Sequence, residues 1–70
     1  MIIFVNGEER DVAAANLGEL WRSETQDLKL AGPKGFAMAL NGALIRRERW
    51  TDTMLSDGDR VEIVRAMQGG

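Results

Sequence analysis

The sequence predicts a two-layer α+β domain: a mixed sheet of four to five strands packed on a single helix. Three observations carry this. Asn6-Gly7 and Asn41-Gly42 each follow a β-prone run, and Asn-Gly is the dipeptide best suited to the positive φ angles of a tight hairpin. One segment, starting at Asn16, repeats large apolar residues at helical spacing. A last run, Arg60 to Arg65, alternates as a strand does. The order is hairpin, helix, hairpin, last strand, and one helix can cover only one face of such a sheet.

Each element has its own signal. Met1 to Val5 is β-branched and aromatic, which favours a strand. Glu8 to Ala14 is the expected return strand, with Val12 as its apolar anchor. Asn16 with Glu19 three residues on resembles a capping box. Leu17, Leu20, Trp21 and Leu28 then mark one apolar face, opposite Arg22, Glu24, Gln26 and Asp27, so a helix is expected over about 17–26. Gly18 should weaken it by up to about 1 kcal/mol relative to Ala. Ala31 to Gly35 is a loop by its Gly and Pro content. Phe36 to Leu40 alternates large and small residues, and Ala43-Leu44-Ile45 is its hairpin partner. Arg46 to Thr53, polar apart from Trp50, predicts a short helical turn with Trp50 as its packing anchor. Asp57-Gly58-Asp59 is a further turn.

Phase divides the strands into two faces. Ile3, Val5, Val61 and Ile63 share one face and are the expected core. Ile2, Phe4 and Val64 lie out of phase with them. On a sheet covered by one helix that second set faces solvent, and an exposed aliphatic-aromatic patch marks a partner surface. The first and last strands, both rich in large aliphatics, are best protected side by side and parallel in the middle of the sheet. That arrangement is the ubiquitin-like β-grasp, which periodicity alone allows without establishing. Residues 1–65 form the expected domain, and 66–70 a flexible tail.

Composition narrows the chemistry. Seventy residues make one domain, and a chain this short buries only about 60% of its unfolded surface. Cysteine and histidine are absent, which excludes disulfides, thiolate metal sites, Cys nucleophiles and His general bases. Asp57 and Asp59 fall far short of a calcium loop's ligand set, so no metal is expected. No glycine spacing matches a phosphate loop. The net charge of −2 lacks the clustered Lys and Arg of a nucleic-acid binder. No apolar run approaches the roughly 20 residues of a membrane span. Met1 to Val5 is too short, and lacks the basic flank, for a signal peptide. The expectation is a cytoplasmic protein, monomeric alone, with no bound cofactor.

The second half of the chain is more specific. Ala37-Met38-Ala39-Leu40-Asn41-Gly42, Arg47-Glu48-Arg49-Trp50, Leu55-Ser56-Asp57-Gly58-Asp59-Arg60-Val61-Glu62-Ile63-Val64 and the closing Gly69-Gly70 resemble the ThiS family of sulfur carriers in thiamine biosynthesis. About half the chain carries the resemblance well; the first hairpin and the helix match only in pattern. Arg46 stands where that family often has proline, and Trp21 where smaller aliphatics are common. Neither departure touches the tail.

The resemblance implies a carrier and not an enzyme. The α-carboxylate of Gly70 is the reacting group. A ThiF-type, E1-like enzyme would spend ATP to adenylate it, a cysteine-derived persulfide would convert it to a thiocarboxylate, and thiazole synthase (ThiG) would accept the sulfur. Glycines without Cβ atoms suit a tail that threads a narrow channel. Met67 and Gln68 would set its conformation and fill partner subsites. Three other readings share parts of this pattern: a MoaD-like carrier serving molybdopterin or another sulfur-containing product, a ubiquitin-like modifier that forms isopeptide bonds, and a passive interaction module.

Overall fold

The computed structural model describes residues 1–25 and 35–65, with Arg65 described by its backbone alone. Strands β1 (Ile2–Val5) and β2 (Glu8–Asp11) form an antiparallel hairpin whose innermost pair is Val5 and Glu8. The two residues between them have φ of +52° and +83°, the double positive φ of a type I′ turn. β2 stops at Asp11, short of the expected Ala14, because Asp11 pairs with Ile2, the first residue of β1. The last rung is the Val12 N–H donating to the Met1 carbonyl at 2.9 Å.

Helix α1 runs Leu17–Thr25. Asn16 caps it as its sequence implies: Oδ1 accepts the Glu19 N–H at 2.9 Å. Glu19 answers by accepting the Ala15 N–H at 2.9 Å, one residue before the usual capping-box partner. Gln26 and Leu28, and Ala31 to Lys34 of the expected loop, lie outside the described residues. Gly18 has a packing reason that its propensity conceals: a Cβ there would meet Thr51 Cγ2 at 2.9 Å and Asn16 Oδ1 at 3.3 Å.

The second Asn-Gly pair joins β3 (Phe36–Leu40) to β4 (Ala43–Ile45). A 3-10 helix follows over Arg47–Asp52, where a short helical turn was expected. β5 (Arg60–Arg65) pairs parallel with β1 and antiparallel with β3. Among the described residues the sheet has five strands in the order β2-β1-β5-β3-β4, which is the β-grasp arrangement.

The strand phase stands as expected. Ile3, Val5 and Val61 are buried, Ile63 is half-buried against them, and Leu17 and Leu20 close the core from the helix. Ile3, Leu17, Leu20, Met38 and Val61 are fully buried, each contributing about 1.5–3 kcal/mol of apolar burial. Trp50 anchors the 3-10 helix: it is buried and its Nε1 donates to the Ile45 carbonyl at 2.9 Å. Trp21 is half-buried, edge-on to Phe36 with ring centroids 5.7 Å apart. Among the described residues no helix is long and apolar enough to cross a membrane.

Candidate functional site

The site grows out of β5, the strand that leads to the closing glycines. Its entry is fixed by the Asp57-Gly58-Asp59 turn. Asp57 Oδ1 accepts the Ile2 N–H at 2.7 Å, and the Asp59 carbonyl accepts the Phe4 N–H at 2.9 Å. The Asp59 carboxylate accepts the Ser56 N–H at 2.7 Å and Asn41 Nδ2 at 3.1 Å. Both acids are therefore committed to holding backbone and neighbouring side chain. Three glutamates are similarly occupied: Glu8 and Glu24 flank Arg10 at 3.0 and 3.4 Å, and Glu19 caps α1.

Two asparagines then grip β5 from opposite sides. Asn41, in the β3–β4 turn, accepts the Arg60 N–H through Oδ1 at 2.9 Å, while its own N–H donates to the Arg60 carbonyl at 2.7 Å. Asn6, in the β1–β2 turn, accepts the Ile63 N–H through Oδ1 at 2.8 Å and donates from Nδ2 to the Ile63 carbonyl at 3.3 Å. The Asn6 amide thereby extends the β1–β5 ladder by one step beyond Val5 and Val61, where the paired residues end. Sequence reasoning read both asparagines only as turn formers. The available signal was that each turn uses Asn rather than Gly at its first position.

The face of the sheet turned away from α1 is the second part of the site. Ile2 and Phe4 are half-buried there and Val64 is 54% exposed. These three share a face as their phase implies, although only Val64 is strongly exposed. Register places Ala37 beside Val64 and Leu44 beside Ala39 on the same face. Leu44, 73% exposed, is the apolar residue that the sequence reading missed. Its strand is too short for alternation to reveal a face. Arg60 and Glu62 sit between Phe4 and the β3 alanines, so the patch is apolar with a charged seam. A shallow depression of about 580 Å³ opens beside Phe4 at the Asn6-Gly7 end. Met67, Gln68, Gly69 and Gly70 lie outside the described residues.

The ThiS family model matches residues 3–70. The chain belongs to the ThiS family. Among solved structures, it is similar to the crystal structure of the thiamine biosynthesis protein ThiS from Geobacter metallireducens, with 36% identity, full coverage of both chains and a TM-score of 0.74. It is similar also to the solution structure of a thiamine biosynthesis protein from the same organism, with 36% identity over all of this chain and 88% of that one, at a TM-score of 0.69. A search of curated proteins returns no match. The family match reaches the closing Gly-Gly, so the segment carrying the expected chemistry lies inside the region of likeness.

Proposed function

We propose that this ThiS-family chain is a sulfur carrier for thiazole formation in thiamine biosynthesis, acting through a thiocarboxylate at Gly70. The observation that supports it is a family match running from the first strand through Gly69-Gly70. The carrier contributes a carboxylate and a recognisable surface, while its partners contribute the catalysis. This division suits a chain without Cys or His.

The chemistry follows from the carboxylate. It is a poor electrophile, so a ThiF-like enzyme joins it to the α-phosphorus of ATP with loss of pyrophosphate. The terminal sulfur of a persulfide attacks the acyl carbon and AMP leaves. A second thiol on the donor then cleaves the S–S bond of the acyl disulfide, and the thiocarboxylate departs as a soft nucleophile. A ThiG-like thiazole synthase takes the sulfur. ATP belongs to the activating enzyme, and the work is cytoplasmic. The patch of Ile2, Phe4 and Val64, joined by Leu44, is the surface that these partners would recognise.

Intact-mass spectrometry tests the reading. The protein is incubated with ATP, a ThiF-type enzyme and a persulfide source. The expected product gains the mass of one oxygen-to-sulfur exchange, localised to Gly70. Deleting Gly70 abolishes the gain and leaves the melting temperature unchanged, because the described core is built between Ile3 and Val61. No gain on the intact chain, with an enzyme active on its own carrier, would overturn the proposal.

A further inference from the structure

We infer that Asn6 is a positioning residue for the tail: its side-chain amide holds the tail-proximal half of β5 on the β1 side. The inference rests on the carrier reading above and adds a residue to it. On the β1 side, β5 loses its main-chain partner after Val61, since the last pair is Val5 with Val61. The next main-chain groups facing that side are those of Ile63. Both are taken by Asn6, its Oδ1 accepting the N–H at 2.8 Å and its Nδ2 donating to the carbonyl at 3.3 Å. An amide side chain reproduces the donor and acceptor of a peptide group. Asn6 thus acts as a missing strand residue one step further toward the tail than β1 itself reaches.

The turn makes this possible. Asn6 sits at φ +52°, a left-handed conformation that Asn tolerates better than most residues. That conformation sends the backbone back into β2 while the side chain continues across to β5. No other residue type offers both the left-handed backbone and a paired donor and acceptor at this reach.

Gly70 lies seven residues beyond Ile63. The paired part of β5 runs to Arg65, opposite Phe36, so only the five residues beyond it, about 17 Å fully extended, can be drawn on by an activating enzyme without unpairing β5. Without the clamp, the Ile63 main-chain groups lose both partners, and β5 is held here on its β3 side alone, where Glu62 pairs with Ala39 and Val64 with Ala37. Residues released from the strand must be re-ordered whenever a partner's channel takes the tail. Ordering one residue's backbone costs enough to weaken binding about tenfold.

Asn41 supplies a matched control. It holds the same strand by its side chain, from a turn of the same geometry, but at Arg60, the end remote from the tail. Asn6→Gly and Asn41→Gly each keep a residue that accepts positive φ and each delete one amide grip. The experiment measures pyrophosphate release by a ThiF-type enzyme with ATP, varying the concentration of the wild-type chain and of each variant. For Asn6→Gly, KM should rise about tenfold with kcat within about twofold, and for Asn41→Gly both should stay within about twofold. Amide exchange at Ile63 should quicken in Asn6→Gly alone. Asn6→Asp, which retains the acceptor and loses the donor, should give an intermediate KM, and it serves as the test if the glycine variant does not fold. An unchanged KM in the Asn6 variants, or an equal rise in Asn41→Gly, overturns the inference while leaving the carrier reading intact. A wild-type chain that supports no pyrophosphate release overturns both.

Discussion

Gly18 offers a quantitative test of how the helix meets the 3-10 helix. Replacing a helical glycine with alanine ordinarily stabilises by about 1 kcal/mol. Here the new Cβ would lie 2.9 Å from Thr51 Cγ2 and 3.3 Å from the Asn16 oxygen that caps the helix. Carbon atoms prefer about 3.5–4.0 Å, and forcing an extra methyl into a packed contact costs about 1–3 kcal/mol. The clash therefore outweighs the propensity, and Gly18→Ala should destabilise by about 1 kcal/mol, a fall of roughly 4–8 °C in Tm for a domain of this size. Thr51→Ser removes Cγ2 at an exposed position and should itself be nearly neutral. In that background Gly18→Ala should stabilise by about 0.5 kcal/mol, the Asn16 contact offsetting part of the gain, for a coupling of about 1.5 kcal/mol. Urea unfolding of the four proteins, followed by tryptophan fluorescence and extrapolated linearly to water, reads all three quantities. If Gly18→Ala stabilises by about 1 kcal/mol in both backgrounds, the packing argument is wrong and Gly18 is only a weak helix residue.

Three further outcomes are expected. Trp50→Phe should cost about 2 kcal/mol because it strips the Ile45 carbonyl of its donor. Trp21→Phe should cost less than about 1 kcal/mol, since the buried Trp21 Nε1 has no hydrogen-bond partner among the described residues; equal costs in the same unfolding assay would contradict this. Val64→Lys, at a site 54% exposed, should leave the unfolding free energy within about 0.5 kcal/mol. It should raise KM for the activating enzyme about tenfold if the open face is a binding surface, and an unchanged KM would remove Val64 from it.

The fold was legible because its signals are local or periodic. Asn6-Gly7 and Asn41-Gly42 announced two hairpins, and alternation placed Ile3, Val5 and Val61 inward. Asn16 and Glu19 announced the start of the helix. Resemblance in the Leu55 to Val64 stretch and in Gly69-Gly70 led to the family. What stayed hidden depends on contacts between residues far apart in sequence. Asn6 reaches Ile63 across 57 positions, and the neighbour that crowds Gly18 is Thr51. Neither contact leaves a periodic trace. The β2 boundary was misplaced for a related reason: a strand ends where its partner ends, and β1 begins at Ile2.

The position of β5 bears on how the protein is made. Among the described residues it is the last strand in sequence, yet it lies in the middle of the sheet between β1 and β3. During synthesis the first hairpin, the helix and the second hairpin can each form locally, but the two halves of the sheet have no strand to join them until residues 60–65 leave the ribosome. Such long-range closure is slow and cooperative. A nascent chain therefore has no continuous sheet before residues 60–65 are in place. Under the proposed function, the face that partners would recognise, which includes Val64 of β5, is complete only once that strand has closed the sheet.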